Sequence, residues 1–247
     1  MAWFKDWFNT EYYHILYQDR DFTEAEIFIR KLSEYNALPE KAKIIDLACG
    51  KGRHSYFLHQ LGYEVLGVDL SEESIAFATK EFSQNHLEFK VHDMRTELYP
   101  SVAPSKVHAV YNLFTSFGYF DDENDDKKVF ASVKNALCDN GVFVLDFLNE
   151  KWVRNTLVPE TTISKGGIDF HIKKRIHDGH VIKDIIFTDQ GEDFHFFEKV
   201  KLHTLEQIEK YAQEFGFVRK KVWGDYHLSD FDLETSPRAI NLFVKEN

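Results

Sequence analysis

Cysteine is almost missing. Cys49 and Cys138 are the two in 247 residues, and neither sits in a Cys-x-x-Cys or Cys/His pattern of zinc spacing. A disulfide framework and a zinc-stapled fold are therefore excluded, and a reducing compartment fits best. No run approaches the roughly 20 apolar residues of a membrane span. Residues 1–10 (MAWFKDWFNT) lack the positive start and continuous apolar stretch of a signal peptide. The expectation is a soluble, cytoplasmic chain with no membrane partner. Positive charge is short too: 30 Lys and Arg face 41 Asp and Glu, a net charge of −11. Nucleic-acid binders carry a basic face, so this balance argues against an extended phosphate footprint. Repeats and low-complexity linkers are also lacking.

What is present suits a globular core. Hydrophobic residues are 43% and aromatics 15%, with 23 Phe and 11 Tyr, enough for a packed interior and an aromatic-walled pocket. Residues 11–36 are polar and aromatic with helical spacing. Ala25, Phe28, Ile29 and Leu32 form an i, i+3, i+4, i+7 stripe, and two short helices are expected there. From residue 43 short apolar runs alternate with amphipathic helices. Strands are expected over 43–48, 63–69, 87–91, 107–113 and 142–147, with helices over 53–61, after Ser71, and over 123–138. Strand alternating with helix implies βαβ units and a parallel sheet covered on both faces. After residue 160 the rhythm changes. Residues 168–176, 181–189 and 193–202 read as strands, with Asp178-Gly179 and Gln190-Gly191 in the gaps, so an antiparallel meander is expected as an insertion. Thr204 with Gln207 offers a capping box for a helix ending at Gly216, and 217–223 and 240–245 read as closing strands.

The most informative segment is IIDLACGKGRHS, residues 44–55. A strand ends, Gly50-Lys51-Gly52 turns, and a helix begins with free N–H groups. Asp69 ends the next strand, where an acid can take both hydroxyls of a ribose. Two enzymatic readings fit. A dinucleotide fingerprint needs Gly or Ala at the position held here by Ser55. Asp46, before the loop, would repel a pyrophosphate and suit a ligand carrying an ammonium and a sulfonium. A nicotinamide-dependent oxidoreductase is the less favoured of the two.

Asp46, Ala48, Gly50 and Gly52 match the pattern acidic-x-[Ala/Gly]-x-Gly-x-Gly, and here the sequence resembles the class I S-adenosylmethionine-dependent methyltransferases. Downstream, Gly67-Val68-Asp69-Leu70-Ser71 resembles the second motif, whose acid holds the ribose. His92-Asp93-Met94 resembles the third, whose Asp meets the adenine amino group and whose next residue packs on the ring. Asn112-Leu113-Phe114 ends the fourth strand as the fourth motif does. Asn140-Gly141-Val142 departs from the family element by lacking a proline and one glycine. GKGRHS and TSFGYF (115–120) resemble a bacterial subgroup acting on small molecules.

The resemblance implies a doubly wound, Rossmann-like, seven-stranded, mostly parallel sheet with the inserted antiparallel β meander. It implies residues 1–40 as an N-terminal helical lid, 41–150 as the donor-binding core, 151–203 as the inserted β region, and 204–247 as the C-terminal helix and closing strands. It implies S-adenosyl-L-methionine as cofactor, met by Asp46, Ala48, Cys49, Gly50 and Gly52 of the first loop. Asp69 and Leu70, then His92, Asp93 and Met94, and finally Asn112, complete that set. Tyr13, Tyr17, Phe117 and Tyr119 are expected to wall the acceptor pocket. The expected reaction is direct N- or O-methylation of a small molecule, with no catalytic base named; a donor-binding protein without transfer is the alternative. The acid run 121–126 reads as a solvated helix start. His171, His177, His180 and His195 are scattered over different strands, so no metal is expected. The meander either caps the acceptor pocket or offers an edge for a homodimer.

Overall fold

A computed structural model describes residues 3–18 and 22–246. Residues 1, 2 and 247, and residues 19–21 of the stretch read above as helical, lie outside the described residues. Three short helices come first: α1 (Trp3–Phe8), α2 (Glu11–Leu16) and α3 (Phe22–Asn36). Then β1 (Lys43–Leu47), α4 (Arg53–Gln60), β2 (Glu64–Asp69), α5 (Glu72–Phe82), β3 (Leu87–Val91) and β4 (Val107–Asn112) alternate as expected. They are followed by α6 (Glu123–Ala136), β5 (Leu137–Leu148) and α7 (Glu150–Thr156). The inserted strands are β6 (Glu160–Lys165), β7 (Ile168–His177), β8 (His180–Asp189) and β9 (Glu192–Lys201). The chain closes with α8 (Leu205–Glu214), β10 (Phe217–Trp223) and β11 (Arg238–Lys245).

The main sheet has seven strands in the order β3-β2-β1-β4-β5-β11-β10. The first five are parallel, while β11 runs antiparallel to both β5 and β10. Because β1 lies between β2 and β4, the chain direction of the crossovers reverses there. The carboxyl ends of these three strands border the crevice where open α/β sheets bind ligands. Strands β1 and β4 are buried nearly throughout, as a sheet covered on both faces requires. Two apolar clusters fill the layers on its two sides.

The second sheet, β6-β7-β8-β9, is a four-stranded antiparallel meander. Asp178–Gly179 and Gln190–Gly191 form two-residue turns with both central residues left-handed, the type I′ geometry that matches strand twist. One face alternates Phe170, Ile172, Ile185 and Phe187 inward, and Trp7 and Leu16 of the N-terminal helices cover it. Three elements escaped the sequence reading. α1 is six residues long and buries Trp7 on the distant meander, so its stabilising contacts are tertiary. α7 buries no residue and so carries no apolar stripe. β6 has no apolar alternation and is held to β7 by its backbone ladder.

Candidate functional site

At the end of β1 the chain turns through Ala48 and Gly50, both left-handed, with φ of 61° and 55°. A Cβ added at Gly50 would meet no protein atom within 4 Å. The turn is fixed from β2: Cys49 N–H donates to the Val68 carbonyl (3.0 Å), and Gly50 N–H donates to Asp69 Oδ2 (2.9 Å). The other Asp69 oxygen accepts from Ser71 N–H at 2.8 Å. Ser71 in turn caps α5, its hydroxyl accepting from Ser74 N–H. Burial pushes the Asp69 carboxyl above the usual carboxylate range, and the backbone donors from Ser71, Gly50 and Leu70 pull it partly back. Each carboxylate oxygen keeps a lone pair for a ligand hydroxyl.

These residues border a cavity of about 480 Å³ at the carboxyl ends of β1, β2, β3 and β4. Ala48, Cys49, Gly50, Asp69 and Leu70 form one side of it. His92, Asp93 and Met94, after β3, form its floor on the next side. Burial lowers the His92 imidazole. Asp93 is partly buried, which would raise its carboxyl, but Arg95 donates Nε and Nη2 to its two oxygens (3.0 and 2.6 Å) and holds it below the usual range. Arg95 also pairs with Asp125 (2.8 Å) and lies over the Phe120 ring. Burial drives the Cys49 thiol well up, so it stays protonated and is not a nucleophile.

The opposite wall follows β4. Phe114 and Thr115 are both left-handed, with φ of 62° and 58°. A buried carboxylate sets this bend: Asp146 of β5 accepts Phe114 N–H (2.7 Å), and Arg238 of β11 bridges Asp146 (2.6 Å) and the Thr115 hydroxyl (2.7 Å). The Phe114 ring stacks on Tyr226, centroids 4.8 Å apart and planes 7° apart. Tyr119 borders the cavity and donates its hydroxyl to the Thr115 carbonyl (2.6 Å). Tyr13 and Tyr17, from the N-terminal helices, close the top. The Tyr17 hydroxyl donates to Glu198 of β9 at 2.6 Å, and Trp7 Nε1 donates to the same oxygen at 2.9 Å. The meander thus holds the helical cover in place.

Four expected site residues do not reach this cavity. Asp46 is buried behind the loop; it accepts the Ser55 hydroxyl (2.6 Å), and burial pushes its carboxyl up to about 6. Gly52 is a packing glycine, since a Cβ there would stand 2.7 Å from the Phe89 ring. Asn112 is fully buried and donates to the Leu47 carbonyl (2.8 Å), fastening β4 to β1. Phe117 is also fully buried and packs on Phe130, Phe147 and His203, because the bend at Phe114 and Thr115 turns it into the core. The acid run is not wholly solvated either: Asp126 is fully buried and pairs with Lys201 (2.6 Å). Conversely Arg53 and His54 border the cavity without having been expected there, and so does Phe114, named above only as the end of the fourth motif. Arg53 and His54 stood next to the glycine loop, which was the available signal; Tyr226, Asp146 and Arg238 had none in local sequence. Among the described residues no His/Cys/Asp/Glu cluster has metal-site geometry, and no helix is long and apolar enough to cross a membrane.

Fold and site together define a nucleoside-binding α/β enzyme, and comparison with known proteins gives its family. Residues 38–215 match the family model described as a methyltransferase domain, so the chain belongs to that family and is an S-adenosylmethionine-dependent methyltransferase. YqeM of Bacillus subtilis (strain 168), whose name places it among the methyltransferases, is 30% identical over 218 residues, covering 85% of each chain. The dTDP-3-amino-3,4,6-trideoxy-alpha-D-glucopyranose N,N-dimethyltransferase of Streptomyces venezuelae is 25% identical, covering 83% of each. A crystal structure of an S-adenosylmethionine-dependent methyltransferase from Clostridium acetobutylicum ATCC 824 shares the fold, with a TM-score of 0.79 over 96% of both chains and 22% identity. S-adenosylmethionine is the cofactor, and the residues fit it: a buried carboxylate at Asp69 and open space beside Gly50 suit ribose hydroxyls and a closely approaching chain. The oxidoreductase alternative falls away.

Proposed function

We propose that this methyltransferase acts on a small-molecule acceptor, and that the nucleophile is a nitrogen. The observation that carries this reading is the continuity of one cleft. About 480 Å³ runs from the acid-bearing side at Asp69 to the aromatic wall at Phe114 and Tyr119, a size suited to small ligands rather than to a polymer lying across a surface. The Streptomyces venezuelae relative, named for N,N-dimethylation of an amino sugar nucleotide, supports the nitrogen acceptor. When bound, S-adenosylmethionine supplies a methyl carbon on a positively charged sulfur that is already a good leaving group.

The chain's residues therefore have to align, shield and discriminate. Asp69 is assigned to the ribose hydroxyls, its geometry preset by Gly50 and Ser71. His92 and Met94 flank the base. Asp93 takes the exocyclic amino group with a lone pair that Arg95 leaves available. Ala48, Cys49 and Gly50 let the methionyl chain pass close to the backbone. Tyr13, Tyr17 and Tyr119 wall the acceptor side and exclude water, so that an amine arriving as the free base meets the methyl carbon in line. The test is incubation with the donor and a panel of small amines, amino sugars and matched alcohols, with S-adenosylhomocysteine measured by mass spectrometry. Acceptor-dependent product from amines and not from alcohols is expected. Tight donor binding with no product across the panel would refute transfer to small molecules of these classes.

A further inference from the structure

Asp93 and Phe120 border the cavity from two different strand ends, one after β3 and one after β4, and one side chain behind them touches both. That side chain is Arg95, which does not itself border the cavity. Its Nε and Nη2 donate to the two Asp93 oxygens at 3.0 and 2.6 Å, and its backbone N–H donates to Asp93 Oδ1 at 3.0 Å. The remaining nitrogen, Nη1, donates to Asp125 in the first turn of α6 at 2.8 Å. The guanidinium carbon stands 4.7 Å from the centre of the Phe120 ring. A second bond ties the same loop to α6, the Ser132 hydroxyl donating to the Thr96 carbonyl at 2.6 Å. Lys128 also pairs with Asp125, at 2.7 Å, so Arg95 and Lys128 balance the two carboxylates of this cluster. A carboxylate gripped on both oxygens by a planar fork neither swings nor readily takes a proton. Asp93 is thereby confined to accepting hydrogen bonds, in one direction. A base edge carrying an amino group satisfies it. The same edge carrying a carbonyl oxygen sets acceptor against acceptor and leaves the site's polar group unmatched. The Phe120 ring lies on the same guanidinium, so the fork that aims Asp93 also supports the wall after β4.

We propose that Arg95 is a positioning residue that makes the cavity select adenine over hypoxanthine and couples that selection to the wall at Phe120. This rests on the reading of the cavity as the donor site, with Asp93 on the exocyclic amino group of the base. Arg95 acts wholly through the two side chains it touches, Asp93 and Phe120. Without the fork, Asp93 keeps the backbone N–H of its own turn, gains freedom to rotate or to take a proton, and accepts either base.

The test is calorimetry on the full chain with S-adenosylhomocysteine and its deaminated analogue S-inosylhomocysteine, which differ only in the base. Wild type is expected to bind the adenine form at least about tenfold more tightly. Arg95→Met should lower that ratio about fivefold or more, and Arg95→Lys, which keeps the charge and loses the fork, should fall between the two. Should Arg95→Met fold poorly with two carboxylates left facing each other, the same ratio is read in Arg95→Met with Asp125→Asn, which removes one of them. Phe120→Leu should lower the ratio in the wild-type background and leave it unchanged in Arg95→Met. The assignment of Arg95 is overturned by a smaller fall in the ratio, or by an equal weakening of both ligands, which is what a merely structural role predicts. An equal effect of Phe120→Leu in the two backgrounds overturns the coupling to the wall. A wild type that binds both ligands equally sinks the placement of Asp93 on the amino group and the proposal with it, and one that binds neither sinks the donor-site reading itself.

Discussion

Gly50 and Gly52 stand two residues apart in one turn, and replacing each by Ala should fail in a different way. Both have positive φ, 55° and 82°, so an L residue costs about 1–2 kcal/mol at either. At Gly50 nothing in the protein opposes the new methyl group, and the cost stops there. At Gly52 the methyl would stand 2.7 and 2.8 Å from Phe89 ring atoms of β3 and 3.1 Å from Ala78 of α5, both buried. Overpacking of that kind adds about 1–3 kcal/mol. Gly52→Ala should therefore lose roughly 2–5 kcal/mol, or roughly 5–15 °C in melting temperature for a chain of this size. Gly50→Ala should lose about half of that or less. Ligand affinity should run the other way. The Gly50 methyl enters the space bordering the cavity, so S-adenosylhomocysteine binding should weaken tenfold or more, while Gly52→Ala, measured below its melting point, should bind within about threefold of wild type. Thermal denaturation with calorimetry on both variants decides. If Gly52→Ala keeps its melting temperature and loses affinity, the division between a binding glycine and a packing glycine is wrong.

Asp69→Ala removes the acceptor of two backbone N–H groups and, on the proposed assignment, of the ribose hydroxyls; donor affinity should drop by about 1–3 kcal/mol, and calorimetry within twofold of wild type would take Asp69 out of the site. Asp46 has a folded value of about 6 against 3.8 for the free side chain, so its contribution to stability is fully present below about pH 4 and is lost as pH rises through 6. Wild type should accordingly gain stability relative to Asp46→Asn as pH falls from 8 to 5; a constant difference in unfolding free energy would contradict this. Lys201→Met leaves the buried Asp126 carboxylate without its closest cation and should cost about 3 kcal/mol in denaturant unfolding, whereas a surface pair would cost under about 1 kcal/mol.

The expected residues that the cavity does gather are those in which one short segment does the whole job. The turn after β1, the acid ending β2 and the His92-Asp93-Met94 segment after β3 each place their own side chains on the cavity, because a strand end in a parallel sheet delivers its next residues to the same edge. The expected residues that lie away from the cavity share a different cause. Phe117 was expected at the wall because it follows β4, yet two consecutive left-handed residues reverse the chain before it. That reversal is held by Asp146 and Arg238, 32 and 92 positions removed from Phe114 and from Asp146 respectively. Asp46 has the residue type of a ligand contact, and its carboxylate is turned to Ser55, nine positions on, in a buried bond that no spacing rule distinguishes from a free acid. The cover behaves likewise. α1 is too short to be stable alone, and it exists because Trp7 finds Phe196 and Glu198 on a sheet formed more than 180 residues later. Local pattern therefore locates the side of the cavity proposed for the donor, which is built within strand ends. The side proposed for the acceptor is assembled from the N-terminal helices, the meander and the β10–β11 segment, and its shape is a property of their packing. Acceptor preference should accordingly respond to changes at Glu198 and Tyr226, outside the cavity, as well as to changes at its wall.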